Sequence, residues 1–267
     1  MIKHWLITGD THGQVVDRLN QIDQTKYPPE ETALIILGDA GLNFYLNKTD
    51  KKNKNMVNNR GFMVYCVRGN HEERPENLNP IEFAYDMKIQ GWVWREPEYP
   101  NIAYLDDGGL YEIAGHTALV IGGAYSVDKY YRLSRFPEDA SWTGWFDGEQ
   151  LLDWEMEDIA TNIKGKEVEF VLTHTCPVAW EPTDLFLSGI DQSKVDKTME
   201  LWFQELKDTF SWKVWLFGHY HDDRLVRPGV EMYFRDIEDI ETIWERWQHP
   251  DNLDWWLHKD PLYYSEV

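Results

Sequence analysis

The sequence predicts a layered α/β protein, because five apolar runs, HWLITGD, ALIILGD, FMVYCVRGNH, VEFVLTH and WKVWLFGHYH, recur along its 267 residues. Runs of this length, rich in β-branched and aromatic residues and closed by Gly or polar punctuation, suit strands buried on both faces. Segments of helical periodicity lie between them. Each run also ends on oxygen or imidazole donors: Asp10 and His12, Asp39, Asn70 and His71, His174, then His219 and His221. In layered α/β proteins ligands collect beyond the carboxyl ends of strands, so donors remote in sequence are expected to converge there.

The elements follow in order. After the first run, Val15–Asp23 reads as a helix. Within 90–115, GWVWREP, NIAYLDD and GLYEIAG read as short β segments that extend a sheet by hairpins. The strand ALVIGGAY is followed by a basic and aromatic loop from Ser126 to Arg135. A helix is expected over Gly148–Ile163, and another over Ser193–Thr209, where Val195, Met199, Trp202, Phe203 and Leu206 recur at core spacing. Between them the loop Thr175-Cys176-Pro177 to Trp180 is expected to pack. Pro228-Gly229 marks a turn between two closing strands. The domain is read as residues 1–235, with 236–267 an acidic, aromatic extension packed on it through Ile237, Ile240, Trp244, Trp247, Trp255, Trp256, Tyr263 and Tyr264. Neither a linker nor a repeat divides the chain.

The donor set holds oxygen (Asp10, Asp39, Asn70) and imidazole (His12, His174, His219, His221) with no thiolate, which suits Mn, Fe, Zn, Co or Ni better than a purely oxygen-loving ion. It exceeds what one transition metal takes from protein when a position stays open for water, so two ions fit the inventory.

In this order the blocks DxH, GD, GNH, H and GHxH resemble those of the calcineurin-like binuclear metallophosphoesterases, over roughly Ile2 to Asp222. The resemblance implies a four-layer αββα sandwich of two mixed sheets with the metal site at strand carboxyl ends. It implies that Asp10, His12, Asp39 and His221 hold one divalent ion and that Asp39 bridges to a second held by Asn70, His174 and His219. It further implies hydrolysis of a phosphate mono- or diester by a metal-bridging hydroxide. His71 resembles the non-ligating histidine that stabilises the transferring group or protonates the leaving oxygen.

The match is uneven. Protein serine/threonine phosphatases continue the GD block as GDxVDRG, whereas this chain has Leu42 and Asn43 in place of the second Asp and the Arg, so His71 is oriented by something else. The segment Val67 to Glu72, VRGNHE, does resemble that branch. A protein phosphatase therefore stands as the alternative reading, beside a non-enzymatic metal-binding scaffold. Substrate contacts are expected from Arg68 and from Lys129, Tyr130 and Arg132, with Arg60 and Arg74 as weaker candidates.

A net charge of −21, from 47 acidic and 26 basic residues, opposes nonspecific nucleic-acid binding and leaves a small phosphorylated substrate as the expected partner. Two cysteines, Cys66 in a strand and Cys176 in a loop, suit a reducing compartment. The first strand begins at once, with no apolar leader, and no apolar run reaches membrane-spanning length, so a soluble cytoplasmic protein is expected.

Overall fold

The computed structural model describes residues 1–137 and 140–248. Thirteen strands form two mixed sheets among these residues. The first has the order β13-β1-β2-β3-β6-β5-β4. Its parallel centre is β1 (His4–Thr8), β2 (Thr32–Ile36), β3 (Met63–Cys66) and β6 (Ile102–Leu105). A meander of β4 (Glu82–Asp86) and β5 (Gly91–Arg95) extends one edge, and β13 (Glu238–Asp239) runs antiparallel on the other. The second sheet has the order β11-β12-β10-β9-β8-β7. There β8 (His116–Ile121), β9 (Phe170–Thr173), β10 (Val214–Phe217) and β12 (Val230–Met232) are parallel, flanked by β7 (Leu110–Ile113) and β11 (Arg224–Arg227).

Alternation along each strand builds the layers. Ile7, Ile35, Tyr65 and Ala103 point inward and meet Ala118, Val120, Phe170, Leu172, Val214 and Leu216 of the other sheet. Their neighbours Leu6, Leu34, Val64 and Cys66 point outward onto α1 (Val15–Gln21) and Val57 of α2 (Lys48–Asn58). On the far side, Leu119, Val171, Trp215 and Phe217 bury Met156, Ile159 and Ile163 of α4 (Asp153–Ile163) and Met199, Phe203 and Leu206 of α5 (Thr198–Leu206). Helix, sheet, sheet and helix therefore stack as the expected αββα sandwich.

Boundaries differ from expectation where polar side chains stop a helix. The helix expected from Ser193 starts at Thr198, because Asp196 accepts from the Thr198 N–H at 2.9 Å and Asp191 turns Gln192–Lys194 into a separate 3₁₀ turn. The helix expected from Gly148 starts at Asp153, where the Glu155 carboxylate takes the Leu152 N–H at 2.7 Å. The β segments of 90–115 divide between the sheets, β5 and β6 in the first and β7 in the second. The loop expected after ALVIGGAY contains a short helix, α3 (Lys129–Ser134). Pro228-Gly229 does turn β11 into β12, with Gly229 at φ +77°. Trp180 is buried against Trp212 and Trp215. From Asp236 the chain adds β13 and α6 (Ile240–Gln248), which buries Ile240 and Ile243 against the central core. Trp255, Trp256, Tyr263 and Tyr264 lie outside the described residues.

Candidate metal centre and cleft

The strand ends of both sheets meet at one cluster. Asp10, Asp39 and Asn70 follow β1, β2 and β3, while His174 and His219 follow β9 and β10; the three oxygen donors and His174 are buried. His12 and His221 stand at the solvent side. His12, Asp39, His219 and His221 all adopt positive φ, at 45°, 48°, 71° and 59°. For residues other than Gly such backbone is strained, and strain of this kind collects at functional sites. Close approach is enforced as well: a Cβ on Gly38 would overlap the His174 ring, and one on Gly69 would overlap the Asp39 carboxylate.

The donors face one another without protons enough to satisfy them. Nε2 of His12 and Nε2 of His221 lie 2.8 Å apart. Asp10 Oδ2 is buried with no hydrogen-bond partner, 3.2 Å from His221 Nε2 in a contact that lacks hydrogen-bond alignment. One ligand atom each from Asp10, His12 and His221, and likewise from Asp10, Asp39 and His174, falls within a span of 4.8 Å. Asn70 Oδ1 lies 2.8 Å from His174 Nε2 and 3.1 Å from His219 Nδ1. Such a donor set fits divalent ions.

A second layer of contacts fixes these orientations. His174 Nδ1 lies 2.8 Å from the Leu37 carbonyl, which sets that nitrogen as the N–H and leaves Nε2 free to ligate. Asn70 Nδ2 donates to Ser126 Oγ at 2.8 Å, turning Oδ1 toward the imidazoles. The His219 N–H donates to Asp10 Oδ1 at 2.9 Å and the His71 N–H to Asp39 Oδ1 at 2.8 Å. Ser126 was not singled out as a site residue by sequence reasoning, which has no pattern for a serine that holds a ligand amide.

Burial pushes the Asp10 and Asp39 carboxyls up, but the surrounding histidines outweigh it and hold both below the ordinary carboxylate range. Burial, reinforced by His174, pulls His219 down to about 3, and burial also lowers His71. The contact with Asp10 raises His221. A neutral His219 beside ionised Asp10 and Asp39 is the combination that metal ligation requires of these groups.

The cluster forms the floor of a cleft of about 750 Å³, which His71 also lines. His71 Nδ1 is buried without a partner, so no carboxylate takes the place of the missing second Asp by direct hydrogen bond. Of the expected substrate residues, Arg132 alone reaches this cleft. Its Nε donates to Asp128 at 2.7 Å and its Nη1 to the Gly144 carbonyl at 2.8 Å. Lys129 sits over the Trp145 ring at 4.1 Å, and Tyr130 is an exposed side chain outside the cleft.

Arg68 corrects the sequence expectation. It is buried, paired with Asp107 at 2.8 Å and donating to the carbonyls of Gly148, Glu149 and Gly122. Those contacts tie the end of β3 in one sheet to the end of β8 in the other, so the guanidinium is consumed by the fold. Glu72 likewise accepts from the Gly69 N–H at 2.9 Å. Arg74 is held by Glu155 at 2.6 Å and by the Gly148 and Gln150 carbonyls. Cys66 and Cys176 are both buried and unpaired, and neither joins a candidate metal cluster among the described residues. No helix there is long and apolar enough to cross a membrane.

Fold and donors together define a class: a four-layer α/β sandwich with a cluster competent to hold divalent metal where the strands of both sheets end. The chain matches the family model of the calcineurin-like phosphoesterases over residues 4–223 and belongs to that family, whose members hydrolyse phosphoesters with divalent metals. No curated protein matches it. A solved structure aligns with 91% of this chain and 96% of its own length, at 14% identity and a TM-score of 0.49.

Proposed function

We propose that the protein hydrolyses a phosphate mono- or diester, with Asp10, His12, Asp39, Asn70, His174, His219 and His221 holding two divalent ions drawn from Mn, Fe, Zn or Ni. The observation that carries this reading is the convergence of donors from both sheets around Asp10 Oδ2, a buried ligand atom without a hydrogen-bond partner. When bound, the ions supply Lewis acidity toward phosphoryl oxygens and acidify water. The chain's own residues do the rest. Asp39, buried and ionised, offsets the charge of two cations. His71, beside ligand Asn70 and facing the cleft, is placed to exchange a proton with the leaving oxygen. Arg132 has Nη2 without a partner among the described residues, a donor for one phosphoryl oxygen at the cleft wall.

The protein phosphatase alternative draws no substrate contact from Arg68 or Glu72, which are engaged within the fold, and Leu42 and Asn43 continue to weigh against it. The test is hydrolysis of an aryl phosphomonoester and an aryl phosphodiester by metal-stripped protein resupplied with Mn, Zn, Ni or Mg. Metal-restored turnover is expected, and the preferred ester divides the two activities. Silence with every metal, in protein that binds two ions per chain, would sink the enzymatic reading and leave the scaffold.

A further inference from the structure

The walls of the cleft carry a substrate preference. One wall is Phe44 and Tyr45, on the loop that follows Asp39; Tyr45 stacks on Trp142 at 5.8 Å, and the Trp142 indole N–H donates to the Phe44 carbonyl at 2.7 Å, so the pair is braced from behind. A second apolar stretch of the lining is Leu185, Phe186, Leu187 and Ile190, on the loop that follows His174. Tyr45, Leu185 and Leu187 are exposed there. Exposed apolar side chains gathered around a polar floor mark a binding surface, and this one is continuous with the donor cluster.

Charge on the same walls narrows what fits. Apart from histidines, the described residues give the cleft two cationic side chains, and both are paired: Arg132 with Asp128 at 2.7 Å, keeping only the Nη2 assigned to the phosphoryl group on the floor, and Lys197 with Glu181 at 2.6 and 2.8 Å. Asp196 adds a further negative charge to the lining. Away from the floor, a second phosphate or carboxylate on a substrate would meet no uncompensated cationic side chain and several carboxylates.

Resting on the phosphoesterase reading, we infer that the substrate carries a single phosphoryl group on an uncharged, apolar alcohol with a ring-sized or longer hydrocarbon part. The phosphoryl group sits on the floor, and the hydrocarbon lies along Phe44–Tyr45 and Leu185–Ile190. Polyphosphates, nucleic acids and acidic phosphopeptides are excluded by the walls.

The test is equilibrium binding of non-hydrolysable phosphonates to metal-loaded protein. Naphthylmethyl phosphonate is compared with methyl phosphonate, phosphonoacetate and a trimethylammonium-bearing phosphonate, alongside turnover of an aryl phosphoester. The naphthyl compound is expected to bind at least tenfold more tightly than methyl phosphonate, which is about 1.4 kcal/mol. In Leu187→Asp and, separately, Ile190→Asp, that ratio is expected to fall toward one. Turnover accompanied by a ratio of one in the parent protein, or by tighter binding of the carboxylate or ammonium compound, overturns this inference alone. Absence of both turnover and phosphonate binding overturns the phosphoesterase reading and this inference with it.

Discussion

The first sheet supplies the carboxylates of the candidate centre and the second supplies most of its imidazole nitrogen. Asp10, Asp39 and Asn70 end parallel strands of one sheet, whereas His174, His219 and His221 follow strands of the other, and only His12 crosses that division. The two contributions are also buried differently. The oxygen donors are inaccessible, and each of the two carboxylates is held by a backbone N–H, so they are fixed whether or not an ion is present. On the imidazole side, His221 faces solvent, shares one hydrogen bond with the exposed His12 and touches Asp10 without hydrogen-bond alignment. Neither sheet makes a centre alone, so the geometry depends on the sheets staying in register with each other.

Removing the shared charge breaks this arrangement most completely. Asp39→Asn keeps the volume and a hydrogen-bond acceptor but loses the anion that offsets two cations, so bound metal is expected to fall well below two ions per chain and turnover to fall to background. Elemental analysis of the purified variant checks it, and full metal occupancy would refute the assignment. His71→Ala separates chemistry from ligation. Because His71 offers its side chain to the cleft and its backbone N–H to Asp39, the variant should keep both ions while kcat drops roughly 10²–10⁴-fold, the usual contribution of a positioned acid or base. Loss of metal in that variant would instead place His71 among the ligands.

The link between the sheets can be tested through Arg68. Truncation to alanine leaves Asp107 without its cationic partner and the Gly122 carbonyl without a donor, while the Gly148 and Glu149 carbonyls keep donors in Arg74 and Ala124, and is expected to lower unfolding free energy by roughly 3–5 kcal/mol. Denaturant unfolding of the metal-free protein reads this directly. A variant of unchanged stability with a raised KM would restore Arg68 to the substrate.

The contrast between Arg68 and Arg132 shows where sequence reading stopped. Strand ends, donor identities and the four-layer stack were legible, because each rests on a short local pattern: an apolar run, its closing Gly, and a donor behind it. Whether an arginine faces solvent, substrate or a ring of carbonyls depends on residues 39 to 81 positions away, as Asp107, Gly122 and Glu149 are from Arg68. The same holds for Ser126, which is 56 positions from the Asn70 amide that it orients. Helix starts failed for a different reason. Asp196 takes the Thr198 N–H just where the spacing from Val195 onward already looked helical, and the Glu155 carboxylate takes the Leu152 N–H at the start of α4, so the expected helices overran their true starts.

Glu200 offers the smallest and most selective probe, on the imidazole side of the cleft. It is 4% exposed, with Oε1 accepting from Thr175 Oγ1 at 2.7 Å and Oε2 buried without a partner. Burial pushes its pKa up from 4.5 to about 7. Between those values the folded protein holds a proton that the unfolded chain has released, so stability falls as pH rises through that window and levels off above it. The shift corresponds to a loss of roughly 3 kcal/mol between about pH 4 and pH 8. Glu200→Gln keeps the shape and the acceptor for Thr175 but cannot ionise, so in metal-free protein it should match the parent near pH 4 and exceed it in stability above pH 7. Urea unfolding of both proteins at pH 5 and pH 8 measures the difference. Parallel pH dependence would mean that Glu200 is already ionised in the folded state, with its charge met by a cation from within the cleft.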